Sequence, residues 1–211
     1  MKTMQLTVGM IATNCYIVYD EETRAAVVID PADNARSILR AVEQEGLQVK
    51  YVLLTHAHFD HLLAAHEVLA QTGAQYVVPE GDLWLLKREN MQDFGGMAQG
   101  YVEDTPAICA VEGTQLSFGG LTATYLHTPG HTPGSSVIQI GDCLFTGDTL
   151  FRHECGRCDL AGGDFGQMLD SLARLHDLPG DYTVLPGHEA LSTLGEERAA
   201  NPYMLQAVGR R

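Results

Sequence analysis

Four short apolar segments of this chain each run directly into a histidine or an aspartate: YVLLTHAHFDH at 51–61, LTATYLHTPGH at 121–131, CLFTGD at 143–148 and YTVLPGH at 182–188. Apolar runs of this length bounded by turn residues read as strands, and those without polar alternation as strands buried on both faces. The polar residues then stand where the strands end. Ends of neighbouring strands lie on one edge of a sheet, so a fold that pairs these strands can gather their terminal side chains into one rigid site. Gly130, Gly147 and Gly187 directly precede His131, Asp148 and His188. Glycine frees the backbone for a sharp turn and a close approach at such points.

The first segment is the densest. Alternate residues of an extended chain share a side, which places His56, His58 and Asp60 together, while a turn into a following helix would bring His61 round. The bland alternative is a His-rich loop or a set of helix caps. Packed like charges repel one another unless a cation lies among them, and four ligand-type side chains in six positions are hard to account for as caps alone. His56, His58, Asp60, His61, His131, Asp148 and His188 make seven nitrogen and oxygen donors with no thiolate. That exceeds one tetrahedral ion and fits two divalent ions sharing a carboxylate and a water. The donor set suits zinc, and also iron or manganese. The expected chemistry is attack on a carbonyl by a metal-bridging hydroxide, one metal polarising the carbonyl oxygen, with Asp60 and Asp148 as the carboxylates of the catalytic centre.

Elsewhere, NCYIVYD and AAVVID read as strands around a turn at Glu21 to Thr23, and QLSF and SVIQI as further strands. Helices are expected at Asn34 to Gly46, Leu62 to Gln71 and Phe165 to His176. The stretch Glu80 to Thr105, with the only tryptophan, reads as a short helix around Leu83 to Arg88 followed by a Gly-rich loop. It is either functional, a subunit contact or a surface excursion. Strands mixed with helices over one core give an α/β domain.

The 27 Asp and Glu against 13 Lys and Arg leave a formal charge of −14. Little basic surface remains to neutralise a nucleic-acid backbone or an anionic membrane, so neither is an expected partner. MKTMQLTVGM lacks the apolar core of a signal peptide, and no apolar run approaches a membrane span. The odd number of cysteines (Cys15, Cys109, Cys143, Cys155, Cys158) reads as free thiols in a reducing cytoplasm.

THAHFDH, HTPGHTPGS, FTGDTLF and LPGHE, in that order, resemble the metallo-β-lactamase-fold hydrolases. The resemblance implies an αββα four-layer sandwich with a dinuclear site at the edge of its two sheets. It implies His56, His58 and His131 on the first metal, Asp60, His61 and His188 on the second, and Asp148 as the bridge. The familiar resistance β-lactamases carry cysteine at the position of Asp148, and flavin-coupled di-iron members carry glutamate at that of His58. FTGDTLF, the CGR at Cys155 to Arg157 and the ending GHEALSTLGEERAANPYM are most similar to single-domain glyoxalase II-like enzymes of bacteria. That implies a small acyl-thiol substrate such as S-D-lactoylglutathione. Full-length glyoxalase II adds a helical C-terminal domain. With 23 residues after His188, about two helical turns and a tail are expected here, and one domain over 1–211. CGRCDL is also similar to the persulfide dioxygenases, which use one iron held by two histidines and an aspartate.

Lesser candidates remain. Arg157 can clamp a substrate carboxylate or pair with Asp159 or Asp164. Cys155 and Cys158 have redox spacing without a thioredoxin-like context, and read as inert thiols. His127 and Asp30 could orient ligands or serve the strand ends. His66 reads as a half-buried packing residue, and His153 as a lining residue of the pocket.

Overall fold

The computed structural model describes residues 1–91 and 95–210. Residues 92–94, within the Gly-rich stretch, lie outside it.

The first sheet carries strands in the order β1 (Lys2–Val8), β2 (Thr13–Tyr19), β3 (Ala25–Ile29), β4 (Gln48–Leu53), β5 (Gln75–Pro79) and β6 (Ile108–Ala110). β1 to β3 form an antiparallel meander, and β3 to β6 run parallel. Two crossovers carry α1 (Ala35–Gln44) and α2 (Ala65–Thr72). In the second sheet, β7 (Gln115–Phe118), β8 (Leu121–His127), β9 (Ser136–Ile140) and β10 (Cys143–Gly147) are antiparallel neighbours. A hairpin of β11 (Leu150–Phe151) and β12 (Glu154–Cys155) and helix α3 (Phe165–His176) come next. β13 (Thr183–Pro186) then returns parallel to β10, and β14 (Ser192–Thr193) closes the edge. The described chain ends in α4 (Leu194–Ala200) and α5 (Pro202–Gly209).

The two sheets pack face to face, and alternation sorts their apolar residues into three layers. Val27, Ile29, Leu53 and Val77 meet Tyr125, Ile138, Phe145 and Leu185 between the sheets. Val28, Val52 and Val78 point outward against Ile38, Val42 and Val68 of α1 and α2. Val137, Leu144 and Val184 point outward on the other side, against Met168, Leu172, Leu175 and Met204 of α3 and α5. Strands buried on both faces have no polar side, which accounts for their unbroken apolar runs. This is the expected αββα sandwich.

Local signals set the helix limits. The Asn34 side chain accepts from the Ser37 N–H at the start of α1, and Gly46 at φ 61° ends it. Asp164 caps α3 through the Gln167 N–H. Three expectations need correction. The second helix begins at Ala65 rather than Leu62, because Phe59–His61 form a 3₁₀ turn that swings His61 inward. Leu83 to Leu86 form turns and not a helix. Asp82, placed to cap such a helix, turns its carboxylate to neighbouring loops instead. After His188 there are two helices of 7 and 8 residues, more than two helical turns. Arg198 of α4 ties them to α3 by donating to the carbonyls of His176, Leu178 and Gly180. Among the described residues no helix is long and apolar enough to cross a membrane.

Candidate metal centre

The C-terminal ends of β3, β4, β8, β10 and β13 meet at one edge of the sandwich. They deliver Asp30, His56 to His61, His131, Asp148 and His188, in that order. The backbone locks these loops together. Ser136 N–H donates to Thr55 O at 2.9 Å, joining the β4 and β9 ends, and Gly187 N–H donates to Gly147 O at 2.9 Å, joining the β13 and β10 ends. Residues 54–58 are not extended strand, so strict alternation does not place His56, His58 and Asp60. The loop and the following 3₁₀ turn bring all four polar residues inward.

Donor atoms fall into three overlapping groups: His56, His58 and His131; His56, His61 and Asp148; and Asp60, His61 and His188. Within them His61 Nε2 lies 3.3 Å from both Asp60 Oδ2 and Asp148 Oδ1. His188 Nε2 lies 3.3 Å from Asp60 Oδ2 and 3.6 Å from Asp148 Oδ2, and His131 Nε2 lies 3.5 Å from Asp148 Oδ2. Ligands at about 2.05 Å from a tetrahedral zinc stand about 3.3 Å apart, so the spacing suits donors that share an ion. Buried His56 Nε2, His61 Nε2 and Asp148 Oδ1 have no hydrogen-bond partner. Orphaned atoms of this kind are costly unless something binds them.

Outer contacts choose which histidine nitrogen faces inward. Thr55 Oγ1 donates to Asp30 Oδ2 at 2.7 Å, which leaves it to accept from His56 Nδ1 at 3.1 Å. His61 Nδ1 donates to Asp30 Oδ2 at 2.9 Å, and His131 Nδ1 to the Arg157 carbonyl at 2.6 Å. Each Nε2 is thereby left as a lone pair pointing into the centre. His58 alone turns Nδ1 inward, 2.8 Å from His131 Nε2.

The electrostatics agree. Burial, and then repulsion from the neighbouring histidines, keeps His56 far below the usual histidine range; burial, and then the crowded histidine beside it, brings His58 down to about 4. Burial would also discharge His61, but Asp60, Asp148 and Asp30 overcome it and raise His61 well above its usual value. Burial would raise Asp148, yet the charge of nearby His61 brings it to about 2. The carboxylates thus gather positive charge at this edge, first as protons, and a bound cation displaces those protons.

Two glycines fit the close packing. A Cβ on Gly187 would lie 2.5 Å from Asp148 Oδ1, and Gly147 at φ 47° passes 2.3 Å, measured from its would-be Cβ, from Thr55 Oγ1. A cleft of about 480 Å³ opens over the donors; Ile11, Phe59, Met97, Phe151 and Leu160 form apolar walls, with Arg157 and Glu189 beside them.

The lesser candidates divide. Asp30 is an outer partner of His61 and, through Thr55, of His56. Arg157 lines the cleft but forks onto Asp159, with both bonds at 2.7 Å. His127 Nε2 meets Pro133 O and touches no ligand. His66 is not a packing residue: its side chain is 51% exposed and pairs with Asp104. His153 is not among the residues lining the cleft and pairs with Glu196. Burial pushes the Cys155 and Cys158 thiols up to about 12 and about 11, as suits inert thiols. Sequence reasoning missed Thr55, Asn14 and Tyr16. Asn14 Nδ2 and Tyr16 Oη both donate to Pro186 O, and Asn14 Nδ2 also to Glu189 O, holding the His188 loop. The one available signal was a buried asparagine inside an apolar strand.

The family model of the metallo-beta-lactamase superfamily matches residues 8–188. The chain belongs to that superfamily. The "Hydroxyacylglutathione hydrolase GloC" of Haemophilus influenzae is 33% identical, over 90% of this chain and 92% of its own length. Solved structures are similar as well, among them the following three. The BLEG-1 B3 metallo-beta-lactamase has a TM-score of 0.88 at 31% identity, covering 96% of this chain and 99% of that one. TTHA1623 in a di-iron-bound form has a TM-score of 0.81 at 35% identity, covering 95% and 99%. ETHE1 from Myxococcus xanthus has a TM-score of 0.79 at 31% identity, covering 99% and 85%.

Proposed function

We propose that this chain is a cytoplasmic dinuclear metal-dependent hydrolase of thioesters such as S-D-lactoylglutathione, releasing D-lactate and the free thiol. The observation that carries the reading is the convergence of seven donors in overlapping groups, with orphaned lone pairs aimed at one edge. The likeness to a hydroxyacylglutathione hydrolase supports the substrate class. His56, His58 and His131 would hold one ion and Asp60, His61 and His188 the other, with Asp148 between them; zinc suits the donors, as do iron and manganese. Bound there, the ions supply a hydroxide nucleophile and a Lewis acid for the carbonyl.

The chain's own groups do the rest. Asp30 and the Arg157 carbonyl fix the imidazoles, and the apolar walls of the cleft flank the space over the donors. Water adds to the carbonyl carbon as hydroxide, its other proton passing to solvent; the C–S bond breaks with the sulfur keeping the electron pair, and the new carboxylic acid gives its proton to solvent. A thiol of pKa roughly 8.5 leaves as thiolate without a proton, whereas an amine needs a placed acid. Asp60 and Asp148 are committed to the donor set, and Glu189 is the other carboxylate lining the cleft among the described residues. Arg157 contributes a guanidinium edge to a substrate carboxylate, within its fork to Asp159.

The similarity of CGRCDL to the persulfide dioxygenases supports a second reading, a mononuclear-iron oxidation of a thiol-bound sulfur. Metal-loaded protein assayed on matched thioester, oxyester and amide substrates, β-lactam included, with persulfide-dependent oxygen uptake alongside, separates these. Thioester turnover well above the others is expected. Amide turnover equal to it would refute the leaving-group argument, and oxygen uptake without thioester cleavage would establish the oxygenase.

A further inference from the structure

One fully buried carboxylate outside the donor set ties two of the donor loops together. Asp82, just past the end of β5, has no exposed surface. Its Oδ2 accepts from Ala57 N–H at 3.0 Å and from Thr132 Oγ1 at 2.7 Å, and its Oδ1 accepts from Gly134 N–H at 2.7 Å. Ala57 stands between His56 and His58, and Thr132 to Gly134 follow His131 directly. A single side chain therefore spans the two loops that deliver one histidine cluster. It makes no hydrogen bond to the 3₁₀ turn Phe59–His61, which carries Asp60 and His61, or to the loop of His188.

The pocket around Asp82 admits little else. A Cβ on Gly134 would lie 2.6 Å from Asp82 Cγ, and one on Gly81 would lie 2.8 Å from Pro133 O. All three partners are donors, so the site wants an acceptor at both oxygens. An asparagine would keep one acceptor and face at least one backbone N–H with its own NH₂, leaving a buried donor unsatisfied. The other donor group has separate supports: Asp30 on His61, and Asn14 with Tyr16 on the His188 loop.

We propose that Asp82 is the positioning residue of the His56–His58–His131 cluster, fixing the spacing of its three imidazoles and thereby the affinity of that cluster alone for a divalent cation. The proposal rests on the metal-centre reading above. Loss of an outer partner of metal ligands commonly weakens binding by about 10–100-fold.

The test measures zinc affinity by competition with a chromophoric chelator in two backgrounds. His188→Ala disables one donor group and leaves the tri-histidine cluster; His58→Ala does the reverse. Asp82→Asn is expected to weaken zinc binding about 10–100-fold in the first background and less than about threefold in the second. Thr132→Val removes one of the three donors and should give a smaller loss in the same background, a check that stands if Asp82→Asn does not fold. Equal losses in both backgrounds, or none in either, would overturn the assignment and leave Asp82 a general structural residue. A parent chain that binds no zinc would refute the metal-centre reading itself, and the role of Asp82 with it.

Discussion

Replacing Gly187 with alanine adds one methyl group where the His188 loop passes its neighbours. The new Cβ would stand 2.5 Å from Asp148 Oδ1, 2.7 Å from His61 Cε1 and 3.1 Å from the Gly147 carbonyl carbon, against 3.4 Å for ordinary contact. The shortfall is 0.9 Å at Asp148 and 0.7 Å at His61. Neither neighbour yields easily, since His61 is fully buried and bonded to Asp30. The loop is pinned as well: Gly187 N–H donates to Gly147 O at 2.9 Å, and Asn14 N–H to Gly187 O at 2.7 Å. Overpacking of this kind costs about 1–3 kcal/mol of stability, a melting shift of roughly 2–12 °C in a chain of this size. The effect on catalysis should be disproportionate, because a displacement near 1 Å at a reacting centre costs ~10²-fold. Thermal melting, ion content and thioester kcat/KM, measured on one preparation of Gly187→Ala, check this. Parental turnover and ion content in the variant would refute the close approach.

Asp148→Ala should lower occupancy at both donor groups, because its two oxygens face His61 on one side and His131 and His188 on the other; metal analysis after gel filtration reads it, and an unchanged ion count would exclude Asp148 as the shared ligand. Arg157→Ala should raise KM more than it lowers kcat, since uniform binding would be lost; unchanged constants would leave Arg157 only its fork to Asp159. Iodoacetamide at pH 8 should label exposed Cys109 before Cys143, Cys155 and Cys158, whose thiols burial pushes up to about 11, about 12 and about 11; peptide mass mapping that finds Cys155 or Cys158 labelled first would contradict their protonated state.

The elements that carry the donors were legible because their signals are local. β8, β9 and β10 and helix α3 occupy the residues their patterns mark, and the glycines before His131, Asp148 and His188 mark the turns. What escaped depends on tertiary partners. β1 has exposed and half-buried residues along most of its length and is defined by pairing with β2. β6 is three residues long and exists through its ladder to β5. α2 starts late because the chain before it is drawn into the 3₁₀ turn that places His61. The helix expected at Leu83 to Arg88 fails where Asp82 serves other loops. Arg157 shows the same limit at the site: the chemistry of its side chain nominated the guanidinium, while the contact that touches a donor is its backbone carbonyl on His131.

The central claim is that these seven residues hold two ions, and anomalous diffraction from zinc-soaked crystals tests it most directly. Two peaks are expected, one among His56, His58 and His131 and one among Asp60, His61 and His188, each within about 2.0–2.2 Å of its donors, with Asp148 reaching between them. A single peak held by two histidines and an aspartate, with His188 turned away from it, would contradict the dinuclear account.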